Sequence, residues 1–253
     1  MKQITMTFKL LLFLMVIVSC RNKEKEPQVE QTSQPTIEIN ITPYFGGLEL
    51  ANENVVFTTE EGYEVKLRDL KIILTEIKNE NKLLSDAAMY SFKKGKKLLK
   101  VNGTSAGWGA LNFNIGVPQA INHSDPSAFP NDHVLNILNA SDMHWSWNPG
   151  YIFVKIEMIA DTLQDGIDNF NHPISFHIGM DETLQEKSIS NLNWESISNQ
   201  SEQLKLKVNF YELLHRTGSS VDLKNEHTTH SSPDQISLSK KLAENFKAAL
   251  TPF

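Results

Sequence analysis

The sequence predicts a mainly β protein, an antiparallel β-sandwich with a long loop insertion and a C-terminal helix. Several short segments alternate apolar and polar residues, as half-buried strands do. Turn residues separate these segments, which is typical of a sandwich. One stripe at helical spacing stands near the end of the chain. A single all-β domain accounts for most of the 253 residues.

The first 20 residues have the form of a lipoprotein signal peptide. Lysines precede an apolar run at residues 10–18, which is too short to span a bilayer. The run ends in Ile17-Val-Ser-Cys20, the form of a lipobox, and Cys20 is the only cysteine of the chain. We therefore predict that Cys20 is lipidated and that the protein is extracytoplasmic, anchored to a bacterial membrane. Arg21 after the lipidated cysteine is compatible with the outer membrane.

Residues 21–36 are charged and polar without an apolar period, so we predict a disordered tether there. The folded domain is then expected at residues 37–253. The chain has 24 Lys and Arg against 30 Asp and Glu and no basic patch, so nothing argues for nucleic acid as a partner. With Cys20 lipidated, no thiolate is left for a disulfide or a metal.

Strands are predicted in order along this domain. Residues 36–42 alternate and open it, and residues 62–67 predict a second strand. Residues 67–78 fit both a strand and a helical stripe, so the pattern alone leaves them open. Further alternating segments follow at residues 110–116, 151–157, 174–178 and 204–210.

The end of the chain predicts a helix. Ser232-Pro-Asp-Gln235 has the form of a capping box with proline at the first helical position. An apolar stripe at helical spacing follows, consisting of Ile236, Leu242, Phe246 and Ala249. This helix should pack on the sandwich.

The long connection from residue 116 to residue 148 is the expected place of function. Loops of this length without regular structure are usually functional or disordered. This one carries His123, His133 and His144. It leads into Asp142-Met-His-Trp-Ser-Trp-Asn-Pro-Gly-Tyr151, which concentrates two tryptophans, a histidine and a thioether.

Histidine and methionine are the donors left for a soft metal such as reduced copper. In an extended segment His144 points away from Met143 and from Trp145. His177 lies at a strand end, where a sheet can present a ligand to a loop. A purely structural role is the alternative for His177, as is core packing for Trp145 and Trp147. His227-Thr-Thr-His230 has a metal-binding spacing but lies in a polar loop, so we do not count it among the ligands.

No nucleophile elbow, phosphate loop or zinc-protease helix is present, so we do not expect an enzyme. The alternative to metal binding is a sandwich module for carbohydrate or another partner. Trp145, Trp147 and Tyr151 would then form an exposed, coplanar stacking platform. A third reading is an accessory protein whose tryptophans only relay electrons.

Four motifs occur in a fixed order along the chain: Gly62-Tyr-Glu-Val-Lys-Leu-Arg-Asp-Leu70, Leu111-Asn-Phe-Asn-Ile-Gly-Val-Pro118, Met143-His-Trp-Ser-Trp-Asn-Pro-Gly-Tyr151 and Phe176-His-Ile-Gly179. Together they resemble the MbnP-like copper-binding family, periplasmic or lipid-anchored partners of a di-haem peroxidase-like enzyme. The resemblance covers most of residues 37–250. Its specific part is Met-x-Trp-x-Trp-x-x-Gly-Tyr.

The resemblance implies a β-rich MbnP-like domain at residues 37–253, with residues 67–78 as strand. It implies a copper site in which a tryptophan, oxidised to kynurenine by the haem partner, joins histidine. Carried over by motif, Trp145 and Trp147 are the oxidation candidates, His177 is the first histidine ligand and His123 the next. His144 stands where an aromatic residue is expected and is a further ligand candidate. The implied role is acquisition, storage or transfer of copper.

Overall fold

The computed structural model describes residues 34–80, 82–145 and 150–253. The predicted signal peptide with Cys20, nearly all of the predicted tether, and Trp147 lie outside the described residues. Within the described part of the chain, no helix is long and apolar enough to cross a membrane.

Strands dominate the described chain. They are β1 (Thr36–Phe45), β2 (Leu48–Glu49), β3 (Val56–Thr58), β4 (Glu64–Asn79), β5 (Lys82–Ser91), β6 (Lys97–Asn102), β7 (Ala110–Ile115), β8 (Ile152–Asp161), β9 (His172–Gly179), β10 (Gln185–Ser190), β11 (Trp194–Ser198), β12 (Ser201–Asn209), β13 (Thr228–Thr229) and β14 (Leu250–Pro252). The helices are α1 (Gln119–Asn122), α2 (Ile137–Ala140), α3 (Phe210–His215) and α4 (Ile236–Ala249). The ambiguous residues 67–78 lie in β4, which confirms the strand that the resemblance implied.

Two sheets form the sandwich. The first has the order β11-β12-β1-β2, with β6 also on β1 and β14 on β12. The second has the order β10-β7-β4-β8-β9-β13, with β3 and β5 also on β4. The mainly β sandwich with a C-terminal helix is thus confirmed. Each sheet also contains one parallel pair, β1 with β12 and β13 with β9, so the sheets are mixed where we expected antiparallel ones.

The main core lies between the sheets. Its apolar side chains come from alternate positions of β1 and β12 on one side and of β4, β8 and β9 on the other. On β9 these are Ile174, Phe176 and Ile178, each with no exposed surface. Burying apolar surface on one face of each sheet is the dominant favourable contribution to such a fold.

Helix α4 closes the main core with Leu242, Phe246 and Ala249, as the stripe predicted. The predicted capping box is wrong, because the helix begins at Ile236 and Gln235 makes no side-chain cap. The Gln235 side chain instead accepts hydrogen bonds from the backbone of His230 at 2.8 Å and from the hydroxyl of Ser232 at 3.0 Å. Residues 232–235 therefore tie the loop before the helix together.

The described part of the long connection packs against the opposite face of the second sheet and forms a separate apolar cluster there. Ile73 of β4 belongs to it, while its neighbours Ile72 and Leu74 belong to the main core, as strand alternation requires. We call the set the outer cluster; it comprises Ile73, Ala87, Val117, Leu135, Ala140, Met143, Trp145, Tyr151, Ile152 and Phe153. The described part of the connection is thus an ordered cover with short helical turns.

Two local features fix the described part of the connection against the sheet. The hydroxyl of Tyr151 donates to the Leu135 carbonyl at 2.6 Å, and burial, aided by the charge of Asp125, raises the pKa of Tyr151 to about 12. Gly116 begins the connection with a φ of 112°, and a Cβ there would lie 2.4 Å from the Phe153 ring. Only glycine fits that approach.

Candidate functional site

The outer face of β8 and β9 carries polar side chains opposite the apolar inner residues Ile174, Phe176 and Ile178. Ser175 and His177 alternate with buried residues on β9, and Glu157 on β8 is the cross-strand partner of Ser175. His177 Nε2 lies 2.5 Å from Glu157 Oε1, and the Ser175 hydroxyl donates to the same oxygen at 3.2 Å. Because a carboxylate only accepts, His177 donates through Nε2, and its Nδ1 keeps a lone pair in the neutral ring.

Glu157 is held in its charged form. Burial by itself would raise the pKa of Glu157, but the hydrogen bond and charge of His177, with help from Ser175 and Lys155, lower it below the ordinary value. A carboxylate that fixes the tautomer and orientation of an imidazole is the usual support of a metal-binding histidine.

His230 reaches the same place from β13. In the parallel register, Thr228 lies opposite Ser175 and Thr229 opposite Phe176. One step further along this register brings His230 beside His177. The two rings meet edge to face, with centroids 4.9 Å apart and an interplanar angle of 88°.

The environment of His230 favours its neutral form. Burial lowers the pKa of His230, and the charge of His177 lowers it further, while Glu157 acts in the opposite direction. A neutral imidazole has the free lone pair that a metal ion needs.

Trp145 completes the group that we call the histidine–tryptophan cluster, formed by Trp145, His177 and His230. The indole is only 5% exposed, and its ring centroid lies 6.1 Å from that of His177 and 6.4 Å from that of His230. Gly179 at the end of β9 makes room for it. A Cβ at Gly179 would lie 2.6 Å from the Tyr151 carbonyl and 3.1 Å from Trp145 Nε1.

The other predicted ligands have different neighbours. His144 Nδ1 donates to the Trp145 carbonyl at 2.9 Å, and its ring packs edge to face on Tyr151. Its Nε2 is buried and has no hydrogen-bond partner among the described residues. His123 is largely exposed and pairs with Asp181 at 2.9 Å. The structure therefore brings Trp145 and His177 together, while the roles of His144 and His123 stay predictions.

The cluster offers two imidazoles to a metal ion. Among the described residues, no group of three or more His, Cys, Asp or Glu side chains is arranged for a metal. Metal–imidazole bonds are about 2.0 Å long, and the 4.9 Å between the ring centroids is short enough for both rings to reach one small ion. Imidazole nitrogens suit reduced copper better than they suit an ion that requires many oxygen ligands.

His230 is the residue that sequence reasoning set aside. Its signal was present in the spacing of His227-Thr-Thr-His230, which we treated as one potential chelating pair in a loop. In a strand, residues three apart lie on opposite faces, so the two histidines cannot act together.

The stacking-platform alternative requires exposed rings. Trp145 is 5% exposed and Tyr151 has no exposed surface, so neither offers a face to a carbohydrate. Both instead pack in the outer cluster. Trp145 therefore packs in an apolar core, which is the structural alternative for this residue.

The family model described as MbnP matches residues 34–232, a span that contains β1 through β13 and every member of the histidine–tryptophan cluster. A solved structure, MbnP from Methylosinus trichosporium, is similar at 13% identity and a TM-score of 0.48, covering 75% of this chain and 79% of that one. The search of curated proteins found no match.

Proposed function

The chain belongs to the MbnP family, which is associated with copper, and from this premise we propose that it is an extracytoplasmic copper-binding lipoprotein that acquires, stores or transfers copper. It acts as a binding protein and not as an enzyme. The observation that carries the proposal is the pairing of His177 and His230 beside Trp145 under an ordered cover.

The proposed ion is reduced copper. His177 is oriented by Glu157, and the lowered pKa of His230 favours the neutral ring, whose lone pair a metal ion needs. His144, with its unpartnered Nε2 among the described residues, and His123 are the further candidate ligands. The chain has no thiolate beyond Cys20, so nothing at this site can be lost to a disulfide in an oxidising compartment.

Conversion of Trp145 or Trp147 to kynurenine is part of the proposal. The indole C2–C3 bond would break with an oxygen added to each carbon, and water would then release C2 as formate. The products are an aniline nitrogen and a ketone, which could join the histidines as ligands. A di-haem peroxidase-like partner would supply the four oxidising equivalents from two molecules of hydrogen peroxide, which are reduced to water. Trp145 is favoured among the described residues because its ring lies against both histidines.

Copper affinity of matched histidine variants tests the ligand assignment. His177→Ala and His230→Ala should each lose tight Cu(I) binding in competition with a Cu(I) chelator, while circular dichroism shows an intact fold. His133→Gln is the control, since both ring nitrogens of His133 are already used, by Asp86 and by the Leu135 amide. Unchanged affinity in His177→Ala would show that His177 is structural and that the assignment is wrong.

Mass spectrometry of the protein from its native host tests the modification. The peptide that contains Trp145 and Trp147 should show loss of one carbon and gain of one oxygen. If both tryptophans are intact, the kynurenine proposal fails while copper binding by histidine stands.

The anchoring of the protein is tested separately. Metabolic labelling with palmitate should mark the wild-type chain, and Cys20→Ser should abolish the label and release the protein from the membrane fraction. Labelled Cys20→Ser protein would refute the lipid anchor.

A further inference from the structure

A second pair of histidines lies on the same two strands as the cluster. His172 begins β9 and His227 immediately precedes β13. Their ring centroids are 4.7 Å apart with an interplanar angle of 64°. The His227 carbonyl accepts the Ser175 amide at 2.8 Å, which fixes its backbone against β9.

Strand alternation explains why there are two pairs. His227 and His230 are three residues apart across β13, so one faces inward like Thr229 and the other outward like Thr228. His230 meets His177 on the outer face, and His227 meets His172 on the other side. The spacing that sequence analysis treated as one site is thus divided between two.

Each ring of this pair has one nitrogen that no described hydrogen bond uses. His172 Nε2 donates to the Leu223 carbonyl at 3.0 Å, so Nδ1 carries the lone pair of the neutral ring. His227 Nδ1 is buried and has no hydrogen-bond partner among the described residues. A buried polar atom without a partner costs free energy unless something binds it.

We propose that His172 and His227 form a second metal site, separate from the histidine–tryptophan cluster, for a soft monovalent cation of the Cu(I) or Ag(I) class. Among the described His, Cys, Asp and Glu side chains, no group of three or more is placed to hold a metal, so the pair offers two imidazoles. Soft d¹⁰ monovalent ions accept two nitrogen ligands, whereas Zn²⁺ requires about four. The site should therefore prefer Cu(I) or Ag(I) to Zn²⁺, because it offers two ligands and not four.

The two sites are far enough apart to be occupied independently. His172 and His177 are five residues apart on one strand, a separation of about 17 Å at roughly 3.4 Å per residue. Loss of one site should leave the other unchanged, so this proposal and the proposed function can fail separately.

Silver(I) titration of the full chain, labelled with ¹⁵N in its histidine rings, tests the proposal. We expect two Ag(I) ions per chain by native mass spectrometry and shifted ring-nitrogen signals for His172 and His227 as well as for His177 and His230. Zn²⁺ should leave the His227 signal in place.

Variants separate the two sites. His172→Gln keeps an amide donor for the Leu223 carbonyl and should bind one Ag(I), at the cluster. His177→Ala should also bind one, with the His227 signal still shifted, and the control His133→Gln should bind two. An unmoved His227 Nδ1 signal in the wild-type chain at two equivalents of Ag(I) overturns the proposal without reliance on any variant. Absent shifts at His177 and His230, with the second site filled, would instead count against the proposed copper cluster.

Discussion

The two faces of β8 and β9 differ in what they bury. The inner face contributes Ile174, Phe176 and Ile178 to the main core, without a polar atom from their side chains. The outer face carries Glu157 and His177, half-buried beneath the connection. Burial of charge is tolerated there because each group has a partner, whereas an unpaired charge in the main core would be expensive. A single strand can therefore supply both stability and a ligand site.

Ion pairs also attach the cover to the sheet. Asp142, at the end of the described connection, accepts a hydrogen bond from Lys71 of β4, and Lys155 Nζ of β8 lies 3.7 Å away. Burial would raise the pKa of Asp142, but the hydrogen bond and charge of Lys71, with the charge of Lys155, lower it. The described connection is thus held on the outer face by both apolar packing and charge.

The largest effect should come from the inner face. Phe176→Ala removes a ring with no exposed surface and should lower the free energy of unfolding by about 3–5 kcal/mol. Denaturant titration measures it, with Leu163→Ala, at a site 55% exposed, as the control. A loss below that of the control would show that the inner face is not the stability core.

Truncation in the outer cluster should have a smaller and more local effect. Met143→Ala removes a side chain with no exposed surface and should cost about 2 kcal/mol. Hydrogen exchange should report faster opening of the connection, with little change in β9. Leu138→Ala, at a site 70% exposed in the same connection, is the control. Equal acceleration in both regions would contradict the division into two clusters.

Glu157→Gln should weaken the site more than the fold. Without the carboxylate that orients His177, Cu(I) affinity should fall by about 10–100-fold, the usual range for losing such a support. Competition with a Cu(I) chelator measures it. An unchanged affinity in a folded Glu157→Gln protein would remove Glu157 from the site.

The smallest effect should come from the ion pair of the cover. Asp142→Asn should cost about 0.2–1 kcal/mol at neutral pH, because Asp142 is partly exposed and such pairs are screened. The folded-state pKa of Asp142 is below its ordinary 3.8, so its contribution is full above that value and is lost as pH falls through the folded pKa. Unfolding curves of wild type and variant should therefore converge in acid. A difference in the free energy of unfolding that persists in acid would show that Asp142 acts through packing and not through its charge.

Sequence patterns predicted the parts of the fold that depend on local periodicity. Alternation located β1, β7, β8, β9 and β12, and helical spacing located α4. Alternation did not reveal β5, because its neighbours Ala87 and Ala88 are both buried, each in a different cluster. The sequence pattern also placed the start of α4 too early, because the Gln235 side chain accepts a hydrogen bond from the His230 amide and does not cap the helix.

The site was predicted in part. The motif located Trp145 and His177, which the structure places next to each other. The pattern did not predict His230, because its place beside His177, 53 positions earlier in the chain, depends on the register of β13 against β9. No local pattern carries that register.

The sequence by itself determined the sandwich class, the faces of the main strands, the terminal helix and the residue types available for a soft metal. These follow from periods of two and 3.6 residues, which each segment expresses alone. Tertiary structure decided the parallel pairings, the burial of Trp145 under its cover, and the assignment of His227 and His230 to opposite faces. Those depend on contacts between distant segments, where packing and hydrogen-bond register choose among arrangements that are locally equivalent.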